Sequence, residues 1–110
     1  MNKDLEELYI KVWELVASVP YGRVTTYGAI AEAIGSKRSA RFVGIALTHC
    51  YLAPFYVPAH RVVNRNGLLT GRHHFPSNQM QELLENEGII IIDNQVQNFK
   101  ELFWQDWKSE

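Results

Sequence analysis

Apolar residues recur at spacings of three and four over the first eighteen positions. Leu5, Leu8, Val12, Leu15 and Val16 fall on one face, which predicts a helix over 4–18. Val19-Pro20-Tyr21-Gly22 ends it, because proline disfavours helix at the residue before it and glycine permits a tight turn. Arg23-Val24-Thr25 is short and partly β-branched, which predicts a brief strand. Ile30, Ala31 and Ile34 then mark a second helix over 27–33, with Thr25 or Thr26 as its cap and Gly35 as its stop. Gly28 inside this helix costs roughly 1 kcal/mol relative to alanine. That cost points to a close approach, either to another helix or to a ligand.

A polar turn over 36–39 leads to a third helix over 39–48. Its buried side is predicted to be Val43, Ala46 and Leu47, with Arg41, Ile45 and Thr48 directed elsewhere. Two short helices joined by a tight turn are the signature of a helix-turn-helix. Residues 49–58 are aromatic and carry two prolines, which predicts a packed irregular loop. Arg61-Val62-Val63 has strand character, and Asn64-Arg65-Asn66-Gly67 is a turn sequence. Leu68-Leu69-Thr70 is expected to return as a second strand or an extended arm, making a small wing. After a loop over 71–76, a fourth helix is predicted over 78–86, capped by Ser77, facing Met80, Leu83 and Leu84 inward, and stopped by Gly88. Ile89 to Ile92 read as a short apolar strand. Val96, Phe99, Leu102, Phe103, Trp104 and Trp107 are expected to pack the tail back on the body. The fold class that follows is mainly α with short β elements, a single winged helix-turn-helix domain over 1–110.

Composition supports one modest folded domain. The 110 residues are 46% hydrophobic and include three tryptophans, five tyrosines and five phenylalanines, which argues against disorder. No apolar stretch is long enough to span a membrane, and the acidic N-terminal segment lacks a signal-peptide core, so a cytoplasmic protein is expected. The lone cysteine, Cys50, excludes an intrachain disulfide. The four histidines show no metal-ligand spacing, so neither a metal nor a cofactor is expected.

Charge changes the picture more. The net charge is −1, but residues 19–75 hold seven basic side chains and one acid, Glu32, giving that segment +6 and the remainder −7. A local basic field of this kind attracts a phosphate backbone. Duplex DNA is therefore the expected partner, bound by a monomer.

The segment Pro58-Ala59-His60-Arg61-Val62-Val63 carries the sharpest signal. With PYGRVTTYGAIA over 20–31, Ala40-Arg41-Phe42-Val43-Gly44, the Asn-Gly wing and Glu87-Gly88, it resembles the DNA-binding domain of O6-alkylguanine-DNA alkyltransferases. It is more similar still to the alkyltransferase-like proteins, which lack the acceptor cysteine. The family motif is Pro-Cys-His-Arg-Val, and Ala59 occupies the cysteine position. The resemblance covers nearly the whole chain and implies a helix-turn-helix that enters the minor groove. It makes Arg41 the finger that enters the base stack and Tyr27 the residue that presses on the phosphate beside the lesion. Thr26 and Ser39, at the starts of the same helices, are expected to join them at the DNA. His60 matches the histidine that deprotonates the acceptor thiol through a water, and Glu87 matches the acid that orients it. Arg61 is implied to be structural. Val57, Pro58, Ala59, His60 and Arg72 are expected to form the lesion pocket, with Arg72 placing charge or a cation–π face on the flipped guanine.

The residues themselves supply a physical rationale. A base must leave the stack before a pocket can enclose it, and an inserted arginine fills the vacancy. Alkyl transfer needs a thiolate paired with a base, and alanine has no lone pair to accept the group. The expectation is a protein, not an enzyme, that recognises and flips O6-alkylguanine and flags it for nucleotide excision repair proteins. Two alternatives stay open. One is residual alkyl transfer or dealkylation, with Cys50 as the rescue nucleophile; the other is a sequence-specific winged-helix transcription factor. The sequence departs from the family in two further ways. His49-Cys50 stands where the family has an asparagine linking the recognition helix to the active-site loop, so that loop is expected to be braced differently. Related alkyltransferase-like proteins often carry tryptophan at the Ala59 position. Together with the missing N-terminal domain usual in full transferases, these departures favour a natural branch over a disabled transferase.

Overall fold

The computed structural model describes residues 3–35 and 39–107. Helix α1 (Lys3–Ala17) buries Tyr9, Val12, Trp13 and Val16. The apolar stripe is therefore rotated toward the aromatics, and Leu5, Leu8 and Leu15 are only half-buried. Trp13 decides the rotation: its Nε1 donates to the Ala46 carbonyl at 2.8 Å, tying α1 to the third helix. A buried indole needs such an acceptor.

Strand β1 (Thr25–Thr26) begins two residues later than the sequence pattern suggests and pairs in parallel with β2 (Val62–Val63). Helix α2 (Tyr27–Ile34) follows at once. Thr26 is its cap, with Oγ1 accepting from the Ala29 amide at 3.0 Å, and Gly35 closes it in the left-handed region at φ 72°. Helix α3 (Ala40–Thr48) is capped by Ser39, whose Oγ accepts from the Phe42 amide at 3.2 Å. The intervening turn, with Lys37 and Arg38 of the basic segment, lies outside the described residues. Val43 and Ala46 are buried as expected. With α1 and α2 they form one core cluster, and α2 and α3 form the helix-turn-helix.

A second core cluster joins Val24, Val63, Leu69, Met80, Leu84, Ile89, Ile91 and Val96. Here the wing is paired differently from the expectation. Val62–Val63 does not pair with 68–70; Leu68 instead bridges Gln95. The hairpin is β3 (Ile91–Ile92) with β4 (Gln95–Val96), turned by Asp93 and Asn94, both at positive φ. Short polar residues at two consecutive positive-φ positions suit a two-residue hairpin turn. Gly67 (φ 79°) docks this hairpin on the wing turn. Its carbonyl accepts from the Val96 amide at 2.8 Å, and a Cβ there would sit 3.3 Å from the Phe99 ring.

Helix α4 (Gln79–Asn86) also starts differently: Asn78 is its cap residue, no side chain caps it, and Ser77 sits at φ 51°. Ser77 follows Pro76 and turns the chain, so its hydroxyl is not the cap. The tail packs back through α5 (Phe99–Leu102), as expected. Arg23 fastens it, with Nε donating to the Leu102 carbonyl at 3.0 Å and Nη2 to the Phe103 carbonyl at 3.1 Å. No helix among the described residues is long and apolar enough to cross a membrane.

Candidate base pocket and nucleic-acid interface

A cleft of about 1030 Å³ opens between the helix-turn-helix and the segments that follow it. Tyr27 and Arg41 line it, and so do Val57, Ala59 and His60. The predicted DNA-contacting pair and the altered motif thus meet in one recess. Tyr27 is the first residue of α2 and Arg41 the second of α3, so both helices begin at the cleft. Arg41 is exposed, and Ile45 and Thr48 follow it along the same side of α3. These three are the positions that the pattern assigned away from the core.

Tyr27 is held in place. Its hydroxyl hydrogen-bonds the Thr70 side chain, and a Cβ at Gly71 would lie 2.8 Å from that oxygen. Burial raises its pKa against the smaller opposing pull of Thr70, so the phenol stays a neutral donor. Gly28, next to it, is exposed, and a Cβ there would meet nothing within 4 Å. Helix packing is therefore not the reason for this glycine, which leaves a ligand as the remaining expectation.

Behind the cleft lies a buried ionic cluster. His60 Nε2 and Glu87 Oε2 are 2.7 Å apart. The same carboxylate accepts from the Gly22 amide at 2.7 Å, from Arg61 Nε at 3.0 Å and from Arg61 Nη2 at 2.9 Å. Arg61 Nη1 also donates to the Val19 carbonyl at 2.9 Å. Burial favours protonated Glu87, but the hydrogen bonds from Arg61, His60 and Gly22 outweigh it and hold the carboxyl below its ordinary value. Burial lowers the pKa of His60, and the pull of Glu87 does not reverse that, because Arg61 already answers the carboxylate's charge. His60 is neutral at pH 7, donates from Nε2 to Glu87 and carries its lone pair on Nδ1. Glu87 thus contacts the ring it was expected to orient, and Arg61 is spent on Glu87 and the Val19 carbonyl.

Other predicted residues sit elsewhere. Arg72 does not line the cleft: Nη1 donates to the Leu69 carbonyl at 3.0 Å, within the 3-10 turn Thr70–His74, and His74 and Phe75 form that wall. A local acceptor three residues back captures the guanidinium. Pro58 is buried and also off the lining. Thr26 is buried beneath the interface as a cap, whereas the capping Ser39 is exposed.

Cys50, the rescue nucleophile of the open alternative, lines the cleft, although burial raises its pKa and keeps it a thiol. The loop after α3 is not packed as expected. Tyr51, in the turn Cys50–Leu52, and Tyr56, in the irregular stretch beyond it, are 77% and 70% exposed at the cleft. His49 braces this loop by stacking on Tyr9 at 5.4 Å and Tyr51 at 6.4 Å, in the neighbourhood where the family's asparagine was missing. Among the described residues no group of three or more metal-ligating side chains converges.

A family profile described as the DNA-binding domain of 6-O-methylguanine DNA methyltransferase matches residues 7–89. The chain belongs to this family. It is 38% identical to alkyltransferase-like protein 1 of Schizosaccharomyces pombe over 97 residues, which are 87% of this chain and 89% of that protein. It is 42% identical over 81 residues to the DNA base-flipping protein of Escherichia coli, covering 61% of that protein's length. A Mycolicibacterium paratuberculosis methylated-DNA–protein-cysteine methyltransferase is 45% identical over 65 residues, only 39% of its length. Among solved structures, S. pombe Atl1 in complex with damaged DNA containing O6-carboxymethylguanine superposes with a TM-score of 0.74, covering 94% of this chain and 98% of that one.

Proposed function

We propose that this alkyltransferase-family domain is a non-catalytic sensor. It binds duplex DNA, receives an extruded O6-alkylguanine in the cleft and holds it with the alkyl group intact for nucleotide excision repair. The observation that carries the reading is Ala59 in the same recess as Tyr27 and Arg41, backed by a His60 whose Nε2 is committed to Glu87. A soft nucleophile is absent where the family places its acceptor, and the remaining base has no thiol to activate. The likeness to a protein solved on O6-carboxymethylguanine DNA supports the ligand class. At about 1030 Å³ the cleft is at the upper end of small-molecule pockets, around 300–1,000 Å³. That leaves room for a base with a substituent. O6-alkylguanine pairs poorly, so it costs less to extract than guanine.

Cys50 gives a second reading, alkyl transfer to a different position, because its thiol lines the cleft. Against it stands the raised thiol pKa, which lowers the thiolate fraction. The test is equilibrium binding to two duplexes that differ only by one O6-methylguanine, at fixed salt, with the methyl group followed in the same samples. Preference for the lesion with the methyl retained supports the sensor. Methyl loss that disappears in Cys50→Ser establishes the second reading, and equal affinity for both duplexes refutes lesion sensing.

A further inference from the structure

A second recess, of about 370 Å³, lies between Lys11 and Glu14 of α1, Ser18 in the turn just after it, and Trp104, Asp106 and Trp107 of the tail. It shares no residue with the base cleft. Positions 11 and 14 lie on the exposed side of α1 and position 18 continues that side in the turn that ends the helix, while Tyr9, Val12, Trp13 and Val16 face the core. The recess is thus separated from the helix-turn-helix by α1 itself.

Its walls are an aromatic corner. The Trp104 and Trp107 rings meet at 86° with centroids 5.1 Å apart. The corner is pre-built, because Trp107 Nε1 donates to the Leu15 carbonyl and the Trp104 amide to the Val24 carbonyl, both at 2.8 Å. Both rings are only half-buried, so part of each stays open to solvent. Two exposed carboxylates, Glu14 and Asp106, flank the rings against one ammonium, Lys11.

Indole faces attract cations through the ring quadrupole, and carboxylates at the rim complete such a site. A guanidinium fits it better than an ammonium. It is planar, stacks on one ring and offers a fork of N–H donors to a carboxylate. Anionic ligands, nucleic acid included, are repelled by the same acids. We propose that this recess binds an arginine side chain presented by a partner protein. Because α1 separates it from the cleft, the arginine can dock while DNA occupies the other face.

The experiment titrates the full chain with a capped Gly-Arg-Gly peptide and a matched citrulline peptide, following the indole N–H resonances by NMR. Trp13 is the internal control, since its N–H is buried against Ala46. The expected result is saturable shifts at Trp104 and Trp107 and none at Trp13, no response to citrulline, and affinity unchanged by bound alkylated duplex. Glu14→Gln with Asp106→Asn, two exposed positions, is expected to weaken binding about fivefold without unfolding the chain. No saturable shift with arginine, an equal response to citrulline, undiminished affinity in the double variant, or displacement by the duplex would each overturn the proposal. Duplex affinity is measured separately, so failure here leaves the sensor reading standing.

Discussion

Replacing Glu87 with alanine removes the acceptor on which the Gly22 amide, His60 Nε2 and the Arg61 Nε and Nη2 groups all converge. The carboxylate side chain is 5% exposed and that of Arg61 12%, so water cannot fully replace the lost partner. Arg61 keeps the Val19 carbonyl and the face of Tyr21, at 5.7 Å, but its charge is then unanswered. Removing one member of a buried pair costs roughly 3–5 kcal/mol. Against a total stability of about 5–15 kcal/mol, the domain becomes marginal. The melting temperature should fall by roughly 15–20 °C, at a few degrees per kcal/mol for a domain of this size. Glu87→Gln keeps an acceptor for Gly22 and Arg61 and should lose about half as much. Urea unfolding at pH 7, followed by tryptophan fluorescence, measures both variants.

The same cluster sets a pH dependence. His60 has its folded pKa lowered below 6.5, so the unfolded chain takes up its proton first and stability begins to fall as pH drops through that value. Glu87, also lowered when folded, contributes stability that is present above 4.5 and is lost as pH falls through its folded pKa. Glu87→Ala should lack this second acid limb. An alanine variant that loses less than about 1 kcal/mol, or that shows the full acid limb of the parent, refutes the buried-cluster reasoning.

Four further outcomes test the cleft. Gly71→Ala places a methyl 2.8 Å from the Tyr27 hydroxyl, so it should move Tyr27 and weaken binding of an alkylated duplex about fivefold, by anisotropy, with little change in melting temperature. Gly28→Ala meets no neighbour and should stabilise the chain by up to about 1 kcal/mol while lowering duplex affinity; unchanged affinity would show that no ligand needs the bare backbone there. Arg72→Ala should leave lesion preference unchanged within about twofold, because a single local hydrogen bond to Leu69 is what is lost. Arg41→Ala should reduce both duplex affinity and the slope of log K against log salt by about one.

The helix-turn-helix was legible in the sequence because its signals are local. Thr26, Gly35 and Ser39 act through their own backbone within a few residues, and the spacing of Val43 and Ala46 states which face is buried. The placement of the site was legible where a motif is present: Tyr27, Arg41, Ala59 and His60 line one cleft, and Glu87 contacts His60. What failed depends on contacts remote in sequence. The β pairing of the wing is decided by Leu68 meeting Gln95, and the rotation of α1 by Trp13 meeting Ala46. Arg72 failed for a different reason. Nothing in composition distinguishes a guanidinium aimed at a ligand from one captured by a carbonyl three residues back.

The same distinction revises how the basic segment works. Its +6 charge was read as a field for phosphate, yet Arg23 is spent on the tail carbonyls and Arg61 on Glu87 and Val19. These two guanidiniums are structural clamps, one fastening the C-terminal segment and one the loop behind the pocket. Among the described arginines of the segment, Arg41 combines exposure with a place on the cleft. A diffuse field would attract any duplex equally. A cation at the start of α3, beside the recess that holds Ala59, is instead local, and on the sensor reading proposed above it is the group placed to act where a nucleotide leaves the stack. The proposed sensor reading then predicts that selectivity for damage rests on the cheaper extraction of a weakly paired base and on the fit of its substituent, with the phosphate contacts supplying affinity alone.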